Sequence, residues 1–307
     1  MVVNIKDKHV GNTKIPSLIR RLNFIFHYDF KNIEGCHFEI TCKYLDPTSA
    51  LILFKIFDYS KKNQCLENPS ANLEKLLNLF KNYNIEKLMK RLINQKQVGS
   101  LYKDLKPMKI KDFFIAPHPI NRENFKDKID LENKYAQFIS DYYKDICPNL
   151  VNYFKTCICE IASNFLYHAT EDDNSILMAL GNKNSIEIVC VDNSTGIISS
   201  LDAFKSQDKQ KVMENAFKRG ITSKIEDYHC GTGLWEVEQI VKQLNGTLKV
   251  YSEDVCYICR NDFKSICQTP YWKGSIFYLK LYVSRETNID EFFDDDVNSN
   301  NLGLINK

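Results

Sequence analysis

The stretch "CEIASNFLYHA", Cys159 to Ala169, sets three polar side chains into what reads as a buried helix. Glu160, Asn164 and His168 recur every fourth residue among Ile158, Ile161, Ala162, Phe165 and Leu166. Each four-residue step turns a helical side chain by only about 40°. The three therefore form a shallow diagonal stripe along the border of the apolar face. A folded domain buries such groups only where the protein or a ligand satisfies them. Taken alone, the stripe reads as the polar edge of an amphipathic helix.

Working outward, Pro148 precedes this helix, whose apolar face includes Val151, Phe154, Cys157, Ile161 and Phe165. The strand-like runs "SILMAL" and "SIEIVCVD" follow, joined through the turn "GNKN". Further on, "GLWEVEQIVKQLNG" carries Leu234, Val237, Ile240, Val241 and Leu244 on one helical stripe and stops at Asn245-Gly246. Two strands, "TLKVYS" and "SIFYLKLYV", close the region, separated by a loop expected at about twenty residues.

Upstream, "HFEITCKYL" alternates with period two, the mark of a strand with one buried face. Asp46 and Pro47 then read as the N-cap and first position of the helix "TSALILFKIFDYSKKN". A second helical stretch is expected from about Asn72 to Asn94. Residues from about 100 to 130, rich in Lys and Pro, read as a connection. Helical patterning returns from Ile129, with Tyr135, Phe138, Ile139 and Tyr142 on one side. The expected organisation is a small α/β domain over 1–100, a linker and connecting helix over 101–148, a larger domain over 149–285, and an acidic, mobile tail over 286–307.

Bulk composition narrows the functional classes. The 307 residues are 44% hydrophobic and 26% charged, ordinary values for a globular protein. A net charge of +2 gives no electrostatic case for nucleic acid as a direct ligand or for an anionic membrane. Apolar runs such as "ALILF" are far too short to cross a bilayer, and the N-terminal stretch is charged where a signal core would be apolar. Eleven cysteines, scattered through apolar segments, point to a reduced, cytoplasmic chain. Cys256-x-x-Cys259, with Cys267 beyond, has zinc-knuckle spacing but no second pair. Buried or loop thiols are the expectation there.

Two further motifs carry chemistry. In "IEIVCVDNSTGI" a strand ends in Asp192, with Gly196 four residues on. A carboxylate there can accept a hydrogen bond from an exocyclic amine such as that of adenine, or simply belong to an Asp-Asn-Ser turn. In "KRGITSKIEDYHCGTGLWEV", Gly231 and Gly233 open a helix directly after them. Backbone N–H groups at such a turn can cradle phosphate. Gly220, Thr222, Ser223 and Lys224 lie upstream, where they could form a lid with hydroxyl and ammonium donors.

In this order the motifs resemble the GHKL ATPases, the gyrase, heat-shock chaperone, histidine kinase and mismatch-repair enzymes that share the Bergerat ATP-binding fold. The Glu-x-x-x-Asn-x-x-x-His spacing looks most like the anti-sigma-factor serine kinases. "GSIFYLKL" stands where that family has its "GT-x-F" closing strand, and the resemblance covers about residues 149–284. It implies an α/β (α+β) chain whose ATPase domain has two layers, a mixed sheet covered on one face by helices.

The resemblance also implies ATP and Mg²⁺ as cofactors. Asn164 would hold Mg²⁺, Glu160 would act as the base toward water, and Asp192 would bind the adenine amine above a turn at Gly196. Gly231, Thr232, Gly233 and Leu234 would wrap the phosphates, and Lys224 would neutralise the terminal one. His168 matches a family position and reads as a packed imidazole. Two departures stand out: Ser194 replaces the family's first glycine, and Trp235-Glu236 follows the phosphate motif. The strand–turn–helix at Asp46-Pro47 resembles a STAS-like module, a partner in protein–protein regulation. The function implied is slow ATP hydrolysis or ATP-gated switching that regulates a protein partner. A serine/threonine kinase of the anti-sigma type and a nucleotide sensor without catalysis are the alternatives, and a homodimer is compatible with each.

Overall fold

The runs "SILMAL" and "SIFYLKL" are apolar at consecutive positions, and both become strand segments buried on both sides. The computed structural model describes residues 2–5, 9–10, 15–26, 37–40, 44–63, 81, 85–88, 113–120, 125–169, 175–201, 204, 206–223 and 231–283. Strands β6 (Ser175–Asn182) and β7 (Ser185–Val191) form a hairpin. Its turn is held by Asn182 Oδ1, which accepts from the Asn184 and Ser185 N–H groups at 2.9 and 3.1 Å. After the helices that follow, β8 (Thr247–Arg260) and β9 (Phe263–Tyr282) form a second hairpin. β9 lies between β7 and β8, and β5 (Phe113–Ile120) adds to the β6 edge, giving the order β5-β6-β7-β9-β8.

Every pairing in this sheet is antiparallel, which corrects the mixed sheet expected from the sequence. Hairpins impose antiparallel neighbours, and here two of them are zipped together through β7 and β9. β5 falls within the stretch read as a connection. Its Pro117 and Pro119 disguise it, yet an edge strand tolerates proline, and the register shifts between Ile115 and His118. The loop of about twenty residues is likewise strand: pairing runs from Val255↔Gln268 to Arg260↔Phe263 and turns at Asn261, whose φ is 52°.

Alternate residues feed two separate cores. Leu177, Ala179, Ile188, Cys190, Phe277 and Leu279 face four helices: α3 (Phe125–Tyr143), α4 (Val151–His168), α6 (Lys209–Ala216) and α7 (Gly233–Gln243), with the short α5 (Ile197–Ser200) beside them. α3 is stitched to the sheet by Tyr135, whose hydroxyl donates to the Leu177 carbonyl at 3.1 Å, and by Tyr143, which donates to those of Asn182 and Ser185.

Ile176, Met178, Val189, Val191, Tyr251, Trp272, Ile276 and Tyr278 face the other way, against the N-terminal elements. There α1 (Ile15–Leu22), a 3₁₀ turn (Asn23–Phe26) and α2 (Pro47–Lys62) supply Ile15, Ile19, Leu22 and Phe54. The expectation of one covered face is therefore corrected. Both faces are covered, in three layers, because these strands have no polar side to leave in water.

The N-terminal unit itself pairs β1 (Val2–Ile5) with β3 (His37–Ile40) and β2 (His9–Val10) with β4 (Tyr44–Leu45), both in parallel. α2 starts as its sequence dictates: Asp46 Oδ1 accepts from the Ser49 N–H at 2.8 Å and Pro47 takes the first turn. Of the helix expected over 72–94, residues 81 and 85–88 are helical and the rest lie outside the described residues, as does the 286–307 tail. Among the described residues no helix is long and apolar enough to cross a membrane.

Candidate functional site

The stripe on α4 opens into a cleft of about 300 Å³ lined by Glu160, Asn164, His168, Thr222, Ser223, Gly231, Thr232, Gly233 and Leu234. A smaller recess of about 30 Å³ adjoins it, lined by Asn164, His168, Asp192, Gly196, Ser275 and Phe277. The three sequence motifs thus meet around one groove. Beneath it, Phe165 packs edge-on against Phe277 at 5.3 Å, fixing α4 to β9.

Each member of the stripe has a distinct role in the packing. Asn164 Nδ2 donates to the Glu160 carbonyl at 2.8 Å, so its amide oxygen is the atom left for the cleft. The Glu160 carboxylate lies against Gly233 at the start of α7, where any Cβ would overlap Oε2. His168 Nδ1 shares a hydrogen bond with Ser223 Oγ at 3.2 Å, tying α4 to the segment before the phosphate motif. An acidic side chain at a helix N-terminus meets both the positive end of the helix and its unpaired N–H groups.

Asp192, at the end of β7, is 3% exposed and clamped on three sides. The Ser194 N–H donates to Oδ1 at 2.5 Å, the Ser275 N–H to Oδ2 at 3.0 Å, and Trp272 Nε1 to the carbonyl at 2.9 Å. A carboxylate oxygen can accept more than one hydrogen bond, so a carboxylate held in this way can also receive a ligand N–H. Gly274, at φ 93°, permits this approach, since a Cβ there would stand 2.6 Å from the Asp192 carbonyl oxygen. Gly196 turns at φ 85° with Ser252 Oγ 2.7 Å from where its Cβ would lie. The Ile197 N–H then donates to that Ser252 Oγ at 2.8 Å. Glu253 Oε1 accepts from the Ser199 N–H and hydroxyl at 3.0 and 2.5 Å, while Lys209 pairs with Oε2 at 3.0 Å. The α5 wall of the cleft is therefore hung from a bulge in β8.

The Gly231-x-Gly233 turn closes on the segment before it. Gly220 N–H donates to the Gly231 carbonyl at 3.0 Å, and a Cβ on Gly231 (φ 66°) would stand 2.7 Å from the Ile221 nitrogen. Gly220 itself thus supports the cleft without lining it, and Lys224 lies outside the described residues. Of the departures noted in the sequence, Ser194 supplies the backbone donor to Asp192, and Trp235 packs under Arg219 at 5.0 Å. Farther along α7, Glu238 is fully buried between Tyr257, Lys242 and Lys264. Burial pushes its carboxyl up, but those hydrogen bonds outweigh it and hold the group below the usual carboxylate range.

Sequence reasoning passes over Gly274, Ser275 and Ser252 as site residues, and Trp272 altogether. The Gly-Ser pair before an apolar run was their one visible signal. The zinc reading finds no support in the geometry. Cys256 faces the N-terminal core and Cys259 the helical core, as residues three apart on a strand must. Among the described residues no group of three or more His, Cys, Asp or Glu side chains could hold a metal. What the cleft offers a cation is hard oxygen: the Asn164 amide and the Glu160 carboxylate, a set that suits Mg²⁺ when phosphate oxygens and waters complete the shell. No model of a known protein family matches the chain, and a search of curated proteins finds no significant match.

Proposed function

We propose that the cleft binds Mg²⁺-ATP and that the chain is an ATP-binding regulator of the GHKL, Bergerat-fold type, acting on a protein partner. The observation that carries this reading is the Glu160 carboxylate lying against Gly233 at the N-terminus of α7. Asn164 is beside it and the clamped Asp192 lies in the adjoining recess. Groups suited to a base, a divalent cation and phosphates therefore line one groove in the order a nucleoside triphosphate presents them. Asp192, oriented by its backbone donors, would accept from the exocyclic amine of adenine. The N–H groups of Thr232, Gly233 and Leu234 would face phosphate oxygens.

Glu160 stands where it can accept a proton from water or orient it. Like charges repel, so phosphate entering beside Glu160 would be favoured by a cation, which Asn164 would hold. Mg²⁺, when bound, supplies that neutralisation and polarises the phosphates. The N-terminal unit, packed on the sheet face behind Asp192, is the part suited to transmit occupancy to a partner.

The test follows γ-labelled phosphate from Mg²⁺-ATP. Wild type is expected to release it slowly to water, Glu160→Ala to bind nucleotide without releasing it, and Asn164→Ala to lose the Mg²⁺ dependence. Label accumulating on a protein hydroxyl would instead assign phosphotransfer to the same site. Failure of all three proteins to bind nucleotide would end the reading.

A further inference from the structure

Beyond the end of β7, β8 and β9 continue as a two-stranded arm, and the register sets Cys256 directly opposite Cys267. Opposed residues of an antiparallel pair have Cα atoms about 4.5–5.5 Å apart. That lies inside the roughly 4.4–6.8 Å a disulfide spans. Both side chains project from the same face, and the Cys267 thiol lies within hydrogen-bonding reach of Cys256. Both are reduced in the structure, but their surroundings differ: Cys256 is 2% exposed in the core with Tyr251 and Trp272, whereas Cys267 stands in solvent. Cys259, the other thiol of this arm, faces the opposite side of the sheet and cannot compete for either partner.

We propose that Cys256 and Cys267 are a reversible dithiol–disulfide pair, a redox modification site whose oxidant is a low-molecular-weight disulfide of the glutathione type. Reactivity divides between the two thiols. Burial, and then the neighbouring Cys267, push the Cys256 thiol up to about 12, so it is a poor point of entry. The exposed Cys267 attacks one sulfur of glutathione disulfide, forming a mixed disulfide and releasing one glutathione, which takes the Cys267 proton. Cys256 then attacks Cys267 Sγ within the arm, and its proton leaves with the second glutathione. Two thiols become one disulfide as one glutathione disulfide becomes two glutathiones. The bond would pin the arm just beyond the β8 bulge from which the α5 wall hangs.

The full chain, equilibrated in glutathione and glutathione disulfide, is digested with trypsin without reduction. Peptide 250–260 is expected joined to peptide 265–273, lighter by two hydrogens than their sum, and separated by dithiothreitol. Both Cys256 and Cys259 lie in the first peptide, so Cys259→Ser decides which is bonded: the joined pair is expected to persist in it and to vanish in Cys267→Ser. Cys267 carrying glutathione with no joined peptide would overturn the proposal. So would loss of the link in Cys259→Ser, or peptide 250–260 joined to any other cysteine.

Discussion

The same five strands build two unlike surfaces. On the helical face, the polar stripe of α4 and the N-terminus of α7 leave a groove, with Asp192 at the end of β7 and Ser275 within β9 lining the recess beside it. On the opposite face, α1 and α2 seal Ile176, Val189, Ile276 and Trp272, and α2 itself is buried from Thr48 to Asp58. Trp272 links the two faces. Trp272 packs edge-on against Phe26 of the N-terminal unit at 5.2 Å while its indole N–H holds the Asp192 carbonyl. One face is therefore sealed and the other carries the groove, and a sheet buried on both sides ties the two together.

The comparison breaks first if the N-terminal helices fold on their own. Phe54→Ala, at a fully buried position, is expected to cost about 3–5 kcal/mol. The account requires that loss to appear as one transition in denaturant, with tryptophan emission and circular dichroism coinciding. A separate early transition that leaves the sheet intact would split the two faces into independent domains.

Next in size is Gly274→Ala, where φ 93° and the Asp192 carbonyl exclude a side chain. Backbone strain of roughly 1–3 kcal/mol is expected in thermal unfolding, together with weakened nucleotide binding, because Asp192 must move. Smaller still within one pH unit of neutrality, though it accumulates in stronger acid, is a pH effect on the helical side of the sheet. Burial, aided by Lys134, lowers the His118 imidazole from 6.5 to about 3. The unfolded chain thus binds a proton that the folded one refuses. Stability is expected to fall as pH drops through 6.5 toward 3, by at most about 1.4 kcal/mol per pH unit. His118→Asn should flatten that slope in urea titrations at several pH values.

Least for stability, though not for function, is Gly233→Ala. The added methyl meets the far end of the Glu160 side chain, a flexible group that can swing aside. The midpoint of thermal unfolding is expected to move by under about 1 kcal/mol equivalent while phosphate release falls sharply. If release were unchanged, the position of Glu160 at the helix start would carry no chemistry.

Much of this arrangement is legible in the sequence, and the failures share a cause. The α4 helix, the β6–β7 hairpin with its Asn182 turn, the α7 stripe and the Asp46-Pro47 helix start each follow from local pattern. What escaped was tertiary. "SILMAL" and "SIFYLKL" are apolar at consecutive positions, which announces two covered faces, but period alone does not say what covers the second. β5 was hidden by prolines that matter little at an edge. The β8–β9 arm was hidden because its alternation is carried by Cys, Tyr and Ile around a polar Asn261-Asp262 turn. In the site, side chains announced by motif spacing line the cleft. Trp272 and Ser252 act through backbone and packing, and no spacing in the chain marks them.

The central claim is that this groove holds a nucleotide with its base at Asp192. Titration calorimetry of the full chain with Mg²⁺-ATP, beside Asp192→Asn and with tripolyphosphate as the ligand lacking a base, tests it most directly. The account predicts saturable binding of ATP by wild type, a drop of about tenfold or more in Asp192→Asn through loss of a charged acceptor, and tripolyphosphate binding alike in both proteins. Absence of ATP binding by wild type, or equal ATP affinity in the two proteins, would contradict it.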